Sequence, residues 1–168
     1  MKKVLLLLTV LCGLSIGAFA QSESGKFSIG VEAGLPLGDF KASSKFVIGG
    51  SLKYDHPIGE GLFVTGSAGY SSIINKDINF GGVTVSPGNT SVVPVKAGIK
   101  YFLAEGFYAE GQAGAAFFTQ SGGGTAFAYA PGVGFAFGGG LDLGVRYEAW
   151  SKNSTTLGQL GARLAYSF

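Results

Sequence analysis

Cysteine is all but absent from this chain. The single one, Cys12, lies in an apolar run near the N-terminus, so the remainder has no disulfide framework and no thiolate metal site. Histidine is as scarce: His56 stands alone, and without a second imidazole a zinc site would need carboxylates only. An excess of one charge is missing too. Of the 12 basic residues Lys2 and Lys3 fall in the N-terminal run, and the ten that remain equal the ten acidic ones. The sequence pI near 8.6 is therefore no argument for binding nucleic acid. After residue 20 no stretch reads as a membrane-spanning helix, although the chain is apolar and only 13% of it is charged.

What is present begins with an export signal. Met1-Lys2-Lys3 is a short basic head, Val4 to Leu11 an apolar core, and Ala18-Phe19-Ala20 an A-x-A cleavage pattern before Gln21. The uncharged run 4–20 is shorter than the ~20 residues a spanning helix needs. Cys12 follows Leu11, where a lipoprotein site requires a small residue. Residues 1–20 are thus expected to be a signal peptide and residues 21–168 one domain.

The remaining sequence alternates with period two in eight segments: 26–35, 45–54, 62–71, 91–101, 107–118, 125–137, 141–150 and 157–168. The last is the clearest. Leu160, Ala162, Leu164, Tyr166 and Phe168 share one face; Gln159, Gly161, Arg163, Ala165 and Ser167 share the other. About ten residues is the length of a tilted membrane strand. An exported, apolar chain without helical spans has one other way to satisfy its backbone in a bilayer, and that is a closed barrel. The sequence predicts an all-β, eight-stranded antiparallel transmembrane barrel with its apolar faces toward lipid. An even strand number puts both termini on one side. Residues 55–61 read as a turn around Pro57, and 72–90 as the longest polar loop, while 151–156 reads as a further connection on the loop side. Phe27, Tyr54, Tyr101, Phe107, Phe137 and Phe168 form one expected aromatic girdle. Phe46, Tyr70, Phe117, Phe127 and Trp150 form the other.

The signal peptide, the eight alternating segments, the Tyr-x-x-Pro-x-Gly turn at Tyr54 to Gly59 and the terminal phenylalanine resemble the small outer-membrane β-barrel proteins, porin-like and of the OmpA/OmpX/OmpW kind. The resemblance implies the outer membrane of a Gram-negative bacterium, with lipid around the wall and termini in the periplasm. It also implies that Tyr166 and Phe168 serve as a C-terminal assembly signal read by the barrel assembly machinery. Where that family often has a glycine five residues before the end, this chain has Arg163.

The charges with inward parity are Glu32, Lys53, Lys96, Lys100, Glu110, Asp142, Arg146, Glu148 and Arg163. Either they line a channel or they plug it. Eight strands enclose an interior just wide enough for side chains, and buried ions need partners, so a structural charge network is expected. Other constellations are weak. His56 has no neighbouring nucleophile or acid. Asn75-x-Asp77-x-Asn79 lacks the later glutamate of a calcium loop, which is Ser86 here. The glycine clusters have no following Lys-Ser/Thr. No enzyme, cofactor or metal is expected. The expected function is a monomeric structural or surface-interaction protein working through its external loops, with an extracellular partner and no nucleic acid. The second reading is a narrow conduit or binder for a small apolar molecule, suggested by the small inner-face residues Gly114, Ala126, Ala128, Gly132 and Gly134.

Mass spectrometry of the protein from an envelope fraction should show Gln21 as the first residue. A chain still carrying Met1 in the membrane would overturn the signal-peptide reading.

Overall fold

The computed structural model describes residues 25–81, 83–120 and 122–168. The expected signal peptide, 1–20, lies outside them. The strands are β1 (Lys26–Pro36), β2 (Ser44–Gly59), β3 (Leu62–Asn75), β4 (Ile78–Phe80), β5 (Val83–Val85), β6 (Thr90–Phe102), β7 (Phe107–Phe118), β8 (Gly124–Ala136), β9 (Leu141–Lys152) and β10 (Thr155–Ser167). A single helical turn, α1 (Asp39–Ser43), joins β1 to β2. Eight strands close into an antiparallel barrel in the order β1-β10-β9-β8-β7-β6-β3-β2, and β4 with β5 makes a separate two-stranded ribbon. No helix among the described residues is long and apolar enough to cross a membrane.

Closure rests on the β1–β10 ladder, which runs from Ser28↔Ser167 to Pro36↔Gln159 and sets Glu32 opposite Arg163. Period-two alternation fixes the register, because a slip of one residue would turn every apolar side chain inward. Ile29, Val31, Leu52, Ile99, Leu143 and Leu164 are all exposed on the outer wall, while Ser28, Lys53, Lys96 and Arg163 are buried inside. This inverts a soluble sandwich. It suits a wall solvated by lipid around a polar interior.

The structure departs from the sequence expectation at the ends of elements. Residues 55–59 are strand, and the connection from β2 to β3 is only Glu60-Gly61. Pro57 is tolerated because β1 stops pairing at Lys26↔Asp55; beyond that β2 has only β3 as a neighbour, where Pro57 faces Phe63. The long connection 72–90 is shorter than expected, since β3 continues to Asn75 and the ribbon occupies its middle. The connection 151–156 is not a loop either. Lys152 pairs with Thr155, leaving the two-residue turn Asn153-Ser154, both at positive φ (47° and 64°). That is the twist a tight hairpin requires. Two prolines sit inside the wall, and each leaves a gap in one ladder that resumes in the same register. The β3–β6 register passes from Ala68↔Val95 to Ser71↔Val92 around Pro94, and the β8–β9 register from Tyr129↔Ala149 to Gly132↔Arg146 around Pro131.

The last residues fasten the seam. Phe168 donates its N–H to the Phe27 carbonyl at 2.8 Å, and its ring meets Tyr166 edge-on at 5.4 Å. Deleting residues 166–168 should therefore prevent closure: the truncated chain should lose the heat-dependent gel shift of a folded barrel. A normal shift in that variant would show that the seam does not depend on them.

Candidate functional site

The interior is built in two layers. The layer nearer the loops is apolar. Phe40, on α1, is buried with Val47, Ile73, Val92, Ala116, Ala126, Ala128 and Trp150, and Phe118 and Leu157 pack against this cluster. Gly38 holds φ 55° at the start of α1, turning the chain so that Phe40 points down into the barrel mouth. The Trp150 indole meets Phe40 and Phe118 edge-on at 6.2 and 6.1 Å. Trp150 thus belongs to the lumen and not to the outer girdle. It shares the parity of Asp142, Arg146 and Glu148, and alternation continued one residue further would have placed it there.

Below this cap lies the charge network. All nine residues expected on the inner face are in it. Glu148 is its upper node: it accepts from Trp150 Nε1 at 3.0 Å and pairs with Lys96 at 2.8 Å and Arg146 at 2.7 Å. Arg146 also pairs with Glu32 at 2.7 Å. Glu32 accepts from the Ser51 hydroxyl at 2.6 Å, and Arg163 lies 3.6 Å from it while donating to Ser51 and Ser28. The lower group joins Lys53 to Glu110 at 3.2 Å and Lys100 to Asp142 at 3.4 Å. Asp55 sits between Lys53 and Lys100, at 3.7 and 3.2 Å. Tyr108 donates to Asp142 at 2.7 Å, and the Lys100 ammonium lies 3.9 Å from the centre of its ring. Gln112 donates to Thr65 and to Glu110.

Five cations therefore meet five carboxylates in this network, Glu32, Asp55, Glu110, Asp142 and Glu148. Charges held away from water must be compensated locally, and here the count balances. Thr65 and Gln112 have the inward parity the alternation gives them, whereas Asp55 and Tyr108 were not expected from the sequence. Asp55 has the parity of Ser51 and Lys53; Pro57 disguised it as a turn residue. The uncharged partners carry only the same alternation, which does not single them out.

The space beside the small inner residues is occupied. A Cβ on Gly132 would lie 2.6 Å from that of Arg146, and one on Gly114 would lie 2.8 Å from the Lys96 Cα. Cavities of about 20 and 10 Å³ remain in the network. Each is about the size of one water. They border Arg163 and Gln159, whose Nη1 and Oε1 have no protein partner. His56 is exposed, faces Val64 in the β2–β3 ladder and stacks beside Tyr54. No group of three or more potential metal ligands occurs among the described residues.

The loop end is tied together by lighter bonds. Lys45 pairs with Asp77 at 3.1 Å and Lys76 donates to the Lys41 carbonyl. The Ser86 hydroxyl, 2.6 Å away, holds the Asp77 carboxyl below the usual carboxylate range, and Lys45 adds to the effect.

A family model described as an outer membrane protein beta-barrel domain matches residues 5–168. No curated protein matches the sequence. Among solved structures the chain is similar to Ail, the attachment invasion locus protein of Yersinia pestis, solved in complex with the heparin analogue sucrose octasulfate. That match has 20% identity and a TM-score of 0.58, covering 86% of this chain and 99% of that one. A de novo designed transmembrane β-barrel matches at 15% identity and a TM-score of 0.56, covering 88% and 98%. The designed barrel TMB2.3 matches at 20% identity and a TM-score of 0.56, covering 87% and 96%. At these identities the likeness is one of fold.

The network ranks its own members. Arg146→Leu would leave two buried carboxylates, Glu32 and Glu148, short of a partner and should cost about 3–5 kcal/mol. Arg163→Leu should cost less, because Arg146 still compensates Glu32. Lys76→Leu, half-buried at the loop end and outside the charge network, should change little. Thermal midpoints read from the heat-dependent gel shift test the order. Equal midpoints for all three would refute a stabilising lumen.

Proposed function

The chain belongs to the outer-membrane β-barrel domain family, and from that premise we propose that it is a non-enzymatic protein of the outer membrane that acts at the cell surface through its loops, with the lumen as an internal strut. The observation that carries this reading is the filled interior: an apolar cap over a charge-balanced network with cavities of single-water size. A passage would need a continuous space, and an apolar ligand would need an uncharged pocket. Function is then left to the ends of the barrel. The loop end carries the features that exceed what closure requires, α1 and the β4–β5 ribbon. It also carries Lys41, Lys45, Lys76 and Lys152 against Asp39 and Asp77, a positive excess that favours anionic partners.

The rest of the proposal follows from the same fold. Export precedes insertion, the periplasmic machinery engages β10 through Tyr166 and Phe168, and the finished barrel is a monomer, since its closed wall offers no strand edge to a second copy. The small inner residues that suggested a conduit instead make room for Arg146, Tyr108 and Lys96.

Purified protein in a planar lipid bilayer tests the strut. Only brief, small current fluctuations are expected. Steady ohmic conductance would sink the proposal and restore the conduit reading.

A further inference from the structure

The apolar layer at the loop end has one member that the wall does not supply. The other buried residues of the cluster stand on strands, from β2 round to β9, whereas Phe40 is brought in by α1. The wall by itself is a collar around a hollow. Three of its members are alanines, Ala116, Ala126 and Ala128, where larger side chains would have filled the mouth from the strands themselves. One phenyl ring fills it instead, and it meets the Trp150 indole edge-on at 6.2 Å.

That ring is lightly held. Residues 37–39 and 41–43 are all exposed, so Phe40 is the one buried side chain in the connection 37–43. Its polar ties to the rest of the barrel are few. Leu37 donates its N–H to the Gly158 carbonyl at 2.8 Å. Lys76 donates its N–H to the Ser43 carbonyl at 2.9 Å and its ammonium to the Lys41 carbonyl at 2.6 Å. No side chain caps α1, and Gly38 ahead of it gives a backbone joint with no Cβ to obstruct rotation. Holding these exposed residues in one conformation costs entropy that a single buried ring must offset. A ring that arrives without a chain attached is free of that cost.

We propose that the collar is a binding cup for a small uncharged arene, a single aromatic ring that enters from outside the cell by displacing Phe40. The chemistry of the collar sets the class. Its members are apolar, and the Trp150 N–H is already given to Glu148 at 3.0 Å, so a carboxylate or hydroxyl on the ligand would be left without a partner. Trp150 offers a bound ring the edge-on contact it makes with Phe40. Glu148, with Lys96 and Arg146, closes the floor, so the ring binds at the mouth and does not cross. The cup rests on the proposal that the barrel works through its loop end. Ring binding and bilayer conductance are separate readouts, so failure of the cup and failure of the strut are distinguishable.

The test is heavy-atom quenching of Trp150, the only tryptophan, by iodobenzene added to the protein purified from the envelope and placed in phospholipid vesicles. Quenching should saturate. Phe40→Ala leaves the hollow open and should lower the half-saturating concentration several-fold. Ala128→Leu fills the hollow from the wall and should abolish the saturable part; Ala126→Leu does the same should the first variant fail to close. 4-Iodobenzoate, whose carboxylate finds no partner in the collar, should not quench saturably. A nitroxide on Ala42→Cys, with Cys12→Ala, should gain mobility over the same range of iodobenzene, because entry of the ring releases α1. Quenching that never saturates, or that persists unchanged in a closed Ala128→Leu or Ala126→Leu variant, would mean arene dissolved in lipid and would overturn the proposal. So would saturable quenching by 4-iodobenzoate, an unchanged half-saturation in a closed Phe40→Ala variant, or a nitroxide that stays immobile while Trp150 is quenched.

Discussion

A backbone that crosses a bilayer has no water to bond with, and the rest of this structure follows from that. Each strand must give its N–H and C=O groups to neighbours on both sides, so the sheet has to close, and β1 must find β10. Closure at eight strands then sets the interior diameter. The space is too narrow for a solvent column, yet alternation sends every second residue into it. Those residues must be small, or polar and mutually satisfied. The chain uses both solutions. Glycine and alanine stand where a neighbouring strand or a long side chain presses in, and charged residues stand where partners of opposite sign converge from other strands.

The charge network is long-range by construction. Apart from the local Arg146–Glu148 pair on β9, its members are far apart in sequence: Glu32 on β1 meets Arg146 on β9 and Arg163 on β10, and Lys96 on β6 meets Glu148, only after the barrel has formed. It therefore cannot guide early folding and acts as a lock on the finished state. The apolar cap complements it. Phe40 and Trp150 keep water off the uppermost node, and the indole N–H to Glu148 joins the two layers. Neither layer would be stable alone in so small a volume: unpaired carboxylates need cations, and an apolar cap needs a floor.

Legibility in the sequence followed the strength of the alternation. The segment 107–118 coincides with β7, and Arg163, Glu148 and Lys96 were assigned to the interior by parity alone. Errors came where a local signal competed with a tertiary one. Pro57 is a turn former in isolation, but at the lower rim β2 has lost one neighbour and the missing N–H costs nothing, so the strand runs on and carries Asp55 inside. Trp150 suits an interface belt by its chemistry, and parity placed it in the lumen. The Asn153-Ser154 turn was hidden because polar residues around it resemble a loop, whereas its two positive φ values are visible only in the fold. Which cation meets which acid depends on barrel stagger. No one-dimensional pattern contains that.

The placement of Trp150 has an optical consequence. It is the only tryptophan in the chain, and it is buried against Phe40 and Phe118 with its N–H on a carboxylate. In a barrel whose indoles face outward, a change in emission signals entry into the bilayer. Here the fluorophore is screened from lipid by the wall, so its spectrum registers the sealing of the interior. Insertion and closure, which outward-facing indoles report together, are separable in this protein by intrinsic fluorescence.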